Sequence, residues 1–197
     1  MLELFYNFIL KPKHNLYGIL EKKPYGLILA ILVFYQLSSY ISDLLGSPSP
    51  DNLKVTLLGG FLSHLVSYVT LLVICSVVIH LSARFLGGYE HGKFRILLTA
   101  FGLSLFPSIL KTPFQLLFGA FGEYTLILIS ISKLILIIWI IYLQVMAVRS
   151  IYLISTERSI IAYISPVLAF SFIILLVGLS TFVMILFIFK GLFSIFI

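Results

Sequence analysis

The 197-residue chain is 61% hydrophobic and only 10% charged, against roughly 25% charged residues in an average soluble domain. A soluble fold of this size cannot hide so much apolar surface, which excludes a soluble enzyme or binding module and makes the chain an integral membrane protein. The net charge of +6 does not mark a nucleic-acid partner, because the cations sit between apolar runs, where they orient a chain and meet anionic headgroups. The apolar runs are continuous and lack the alternation of a barrel. Helices satisfy their own backbone in lipid, so the fold class is all-α: a polytopic membrane helix bundle.

In chain order, residues 1–24 come first. Leu2, Phe5, Phe8 and Ile9 share one face of a short helix that Pro12 ends, and Asn15 can cap a second, with Lys22 and Lys23 in its last turn. This is an interfacial amphipathic segment. Its charges follow its first apolar stretch, unlike a cleavable signal. Five runs then reach the roughly 20 apolar residues that cross a bilayer. They cover about 25–45, 55–85, 94–118, 124–151 and 160–189, in a single domain over residues 1–197. Pro166 predicts a kink or a late start in the fifth.

The cations are unevenly distributed. Lys11, Lys13, Lys22, Lys23, Arg84, Lys93, Arg95, Arg149 and Arg158 fall on one side, and Lys54, Lys111 and Lys190 on the other. The bias predicts a cytoplasmic N-terminus and an exterior C-terminus. On the cytoplasmic side, Gly87 and Gly88 open a turn whose cations, Lys93 and Arg95, are candidate headgroup contacts. Lys111 is close enough to the far surface to snorkel as an anchor.

Polar residues inside spans are costly and need a reason. Lys133 lies nine residues into the fourth predicted span, about 14 Å deep at 1.5 Å per residue. His64 reaches a similar depth in the second span. Ser104 and Pro107 lie midway through the third, where the proline cannot donate to the Leu103 carbonyl. His64, Ser104, Pro107 and Lys133 therefore form a candidate intramembrane polar cluster. Such a cluster could serve a transporter, channel or lipid-translocating protein, or could simply bond within the bundle.

The chain has no HExxH, GxSxG or Walker sequence and no intramembrane aspartate pair, so no catalytic residue and no cofactor is predicted. His80, Glu90 and His91 have a spacing that matches no metal motif. The lone Cys75 lies in an apolar run and reads as a buried thiol.

Three stretches carry a family resemblance: ILKPKHNLYGILEKKP at Ile9–Pro24, FLGGYEHGKF at Phe85–Phe94, and FGLSLFP at Phe101–Pro107. In order and spacing, the chain resembles short prokaryotic-type members of the five-span Yip-type family (Ypt/Rab-interacting proteins, the "Yip-one" domain). The glycine pair is similar to one that precedes the family's third span, and FGLSLFP to a signature within it. The family's D-L-x-G-P motif is not carried over: Asp43-Leu44-Leu45-Gly46 resembles it in letters but follows the first span. The resemblance implies a membrane-embedded, self-associating protein of a kind that acts on membrane shape or traffic in eukaryotic relatives. With no catalytic motif in the chain, the expectation is a non-catalytic, membrane-organising or partner-binding protein of a prokaryotic plasma membrane.

Overall fold

The computed structural model describes residues 25–46, 53–88 and 94–193, and every element among them is helical. The expected interfacial segment, residues 1–24, lies outside the described residues, as do Lys93, Glu90 and His91.

Helix α1 spans Tyr25–Gly46 and α2 spans Leu53–Phe85, close to the expected first and second runs. The third run differs. Instead of one helix it is α3, Phe94–Ser104, then a 3-10 turn at Phe106–Leu110, then α4, Lys111–Phe118. Pro107 sits at the start of the 3-10 turn. Its ring and missing N–H disfavour a continuous α-helix there and suit the start of a new turn. A second 3-10 stretch, Gly119–Tyr124, holds Gly122 at φ 58°, ψ −122°. That conformation suits the first central residue of a hairpin-type turn. It reverses the chain, so that α3 and α4 both pack alongside α5, Thr125–Tyr152.

Helix α6 runs over Thr156–Phe193, through Pro166 without ending. It starts earlier than expected because Ser155 caps it. The Arg158 N–H donates to Ser155 Oγ at 3.4 Å, and the Ser159 N–H to the Ser155 carbonyl at 3.0 Å. Three helical stretches, Phe61–Phe85, Phe94–Tyr152 and Thr156–Leu186, are long and apolar enough to cross a membrane, and Ile28–Ile41 is a shorter apolar helix. The middle stretch contains the Gly122 reversal.

The chain divides into two compact units, residues 1–163 and 164–197. The core of the first gathers where α2, α3, α5 and the start of α6 meet. It contains Ile79, Ala83, Leu97, Ala100, Phe101, Ala147, Val148, Ile151, Tyr152 and Ala162, with Ile31 from α1. Lipid is as apolar as these side chains, so membrane helices associate through close packing at small residues. Ala83, Ala100, Ala147 and Ala162 are fully buried. At Gly102 a Cβ would stand 2.6 Å from Ile28 Cγ2, so this glycine lets α1 and α3 approach. In the second unit all residues from 171 to 186 are exposed. The hydroxyls of Ser180 and Thr181 both donate to the Val177 carbonyl.

Candidate functional site: polar clefts among the apolar helices

At the end of the first unit where α2 stops, the glycine pair forms a built cap. The Gly88 N–H donates to the Ala83 carbonyl at 3.0 Å and the Gly87 N–H to the Arg84 carbonyl at 3.1 Å, the paired bonds of a Schellman motif. Gly87 supplies the left-handed residue, φ 85°. Gly88 is required for space: a Cβ there would lie 2.6 Å from the Ala83 carbonyl oxygen and 3.1 Å from Tyr152 Cβ. Arg158 Nη1 donates to the Leu86 carbonyl at 3.1 Å, which ties this cap to the start of α6. Arg84 and Arg149 occupy the last turns of α2 and α5, where the helix dipole favours cations. Arg95 is exposed in the first turn of α3. His80 Nδ1 pairs with the Tyr152 hydroxyl at 2.5 Å, and its ring meets Phe94 edge-on. Among the described residues no group of three His, Cys, Asp or Glu side chains could hold a metal.

Around the helix break, side-chain hydroxyls turn back to the backbone. Ser104 Oγ donates to the Phe101 carbonyl at 2.7 Å, and Ser108 Oγ to the Leu105 carbonyl. Helix α1 supplies the rest. Ser38 Oγ donates to the Ile109 carbonyl at 3.1 Å, and Thr112 Oγ1 donates to the Ser38 carbonyl at 2.7 Å. Carbonyls released by a break within lipid need such donors. Lys111 is half-buried, and its Nζ donates to Ser39 Oγ of α1 at 3.2 Å.

Two clefts open beside this seam. The larger, 360 Å³, lies between α1 and α2 and is lined by Tyr35, Gln36, Ser39, Tyr40, His64, Ser67, Tyr68 and Leu71. The rings of Tyr35 and Tyr68 sit 4.7 Å apart at its side. The smaller, 260 Å³, is lined by Tyr35, Ser39, Ser108, Lys111 and Lys133, with Leu136, Ile137 and Ile140 as its apolar wall. Tyr35 and Ser39 belong to both, so the clefts adjoin.

The four residues expected to cluster are thus distributed. His64 lines the larger cleft and Lys133 the smaller. Ser104 and Pro107 are buried at the break and line neither. What the sequence reading passed over is α1. Its Tyr35, Gln36, Ser39 and Tyr40 recur at helical spacing, and so do His64, Ser67, Tyr68 and Leu71 on α2. Two facing polar stripes inside apolar helices are the signal that could have revealed the cleft.

A helical chain with several bilayer-length apolar stretches, and with most of its buried hydroxyls bonded to helix carbonyls, is an integral membrane protein of the multi-pass kind. Comparison with known families matches the Yip1 domain over residues 6–179. The chain belongs to the Yip1 domain family. Comparisons with curated proteins and with solved structures return no match.

Proposed function

We propose that the chain is a non-catalytic, five-span membrane protein that organises membrane through lipid contact and self-association or a membrane-protein partner. In this reading α1, α2, the broken α3–α4 leg, α5 and α6 each cross once, and residues 1–197 act as one Yip-like domain. The interfacial segment and the Gly87–Gly88 turn lie on the cytoplasmic side, where Lys93 and Arg95 meet anionic headgroups. The broken leg is long enough: at about 1.5 Å per α-helical and 2.0 Å per 3-10 residue its contour, about 38 Å, exceeds a hydrocarbon core about 30 Å thick.

The observation that carries the reading is where the apolar surface points. Helix α5 exposes Leu126, Ile127, Leu134, Ile135 and Ile138, and α6 exposes Ile174, Leu175, Phe182 and Met184, while the polar side chains at the helix break bond within the bundle. Reconstitution into vesicles at rising protein density tests it. The expected result is energy transfer between tagged copies above the random-encounter level, together with altered vesicle shape. Dispersed copies in unaltered vesicles, with solute flux that Lys133→Leu abolishes, would replace this reading with transport.

A further inference from the structure

Gln36 is the unusual residue of the bundle. It is 6% exposed, yet its side-chain amide bonds to no other described residue. No buried side-chain nitrogen or oxygen among the described residues is sealed off without a partner. The Gln36 amide therefore keeps its opening toward the cleft it lines. A buried amide in an apolar helix costs free energy unless something in that cleft bonds to it.

The neighbouring groups define what that something is. The larger cleft offers an amide, the hydroxyls of Ser39 and Ser67, the phenols of Tyr35, Tyr40 and Tyr68, and the His64 imidazole. This set of hydrogen-bond donors and acceptors suits a hydroxyl-bearing group. Next to it, across the shared Tyr35 and Ser39, Lys133 and Lys111 come from different helices into one groove with the Ser108 hydroxyl. Lys111 is held there by Ser39, while Lys133 is exposed to the groove. Two ammonium groups and hydroxyls suit a phosphate oxygen. The wall beyond is aliphatic: Leu136, Ile137 and Ile140.

We infer that the paired clefts bind the headgroup of an anionic phospholipid, the phosphate at Lys133 and Lys111 and its hydroxylated substituent at Gln36, Ser39 and Ser67. A phosphate ester with free hydroxyls could also arrive from solution. The lipid is the source assigned here, because the lining residues lie on apolar helices of membrane-spanning length or type and the aliphatic wall adjoins the phosphate position. The site differs from headgroup contacts at the Gly87–Gly88 turn, which involve other residues. It also stands apart from the span count, since α1, α2, the helix break, the start of α4 and α5 alone build it.

The test is lipid retention by the purified full-length protein. The protein is exchanged through detergent containing equal phosphatidylglycerol and phosphatidylcholine, and bound lipid is read by native mass spectrometry. The wild-type chain is expected to retain phosphatidylglycerol with about tenfold preference. Lys133→Gln removes most of that preference and Lys133→Arg keeps it. Gln36→Leu lowers phosphatidylglycerol retention, and Ser180→Ala, which lines neither cleft, changes nothing. Because Lys133 is exposed, its variants fold even where Gln36→Leu does not. Equal retention of both lipids, or a preference indifferent to Lys133, overturns the inference. So does retained glycerol 3-phosphate with the same Lys133 dependence and no retained lipid, which would assign the clefts to a soluble ester.

Discussion

At the scale of single residues, two backbone positions show how tightly the Gly87–Gly88 end is specified. Gly88 has no room for a methyl group, and the nearest obstacle is a backbone carbonyl, that of Ala83, which cannot move without opening the cap. Gly88→Ala is therefore expected to lower stability by about 1–3 kcal/mol, the usual range for overpacking, measured by thermal unfolding in detergent. Leu153 is the opposite case. It ends α5 at φ 54° and is exposed, so a side chain sits in a conformation that costs an L-residue about 1–2 kcal/mol. Glycine removes that strain but adds about 0.4–1 kcal/mol of unfolded-state entropy. Relief of strain outweighs the added entropy, and Leu153→Gly should raise the unfolding temperature slightly. A fall would mean that the exposed leucine contributes more by its contacts than its backbone loses.

At the scale of elements, the contact of α1 with α3 depends on Gly102 facing Ile28. Gly102→Val is expected to force the two helices apart and cost about 1–3 kcal/mol. Shortening the obstacle, in Gly102→Val with Ile28→Ala, should recover part of the loss in the same unfolding measurement. Additive losses would show that the two side chains do not meet. The element ends were legible from the sequence where apolar runs met polar turns: α1, α2 and α5 begin and end within about two residues of expectation, the usual uncertainty of a helix boundary. The broken leg was only half legible. Pro107 announced a missing hydrogen bond, but periodicity carries no sign that the α-helix stops at Ser104 and resumes at Lys111. That outcome depends on Ser38 and Thr112 bonding between α1 and the break, a long-range contact. The cleft was hidden for a similar reason. Lys133 and His64 stood out as polar residues in grease, whereas Gln36 and Ser39 gained meaning only once α1 was placed beside both α2 and the break.

At the scale of the whole molecule, the central claim is that the α3–α4 leg crosses the bilayer despite its break, which makes five spans with the glycine turn on the N-terminal side. The competing arrangement is a re-entrant leg that returns to the side it entered. The two place Glu123, exposed beside the Gly122 reversal, on opposite faces of the membrane. Single cysteines introduced in a Cys75→Ser background, as Ser49→Cys, Glu90→Cys, Glu123→Cys and Glu157→Cys, read this directly through labelling by a membrane-impermeant maleimide on intact cells. Five spans predict that Ser49→Cys and Glu123→Cys label from outside, while Glu90→Cys and Glu157→Cys label only after permeabilisation. Labelling of Glu123→Cys only after permeabilisation, together with Glu90→Cys, would contradict the account.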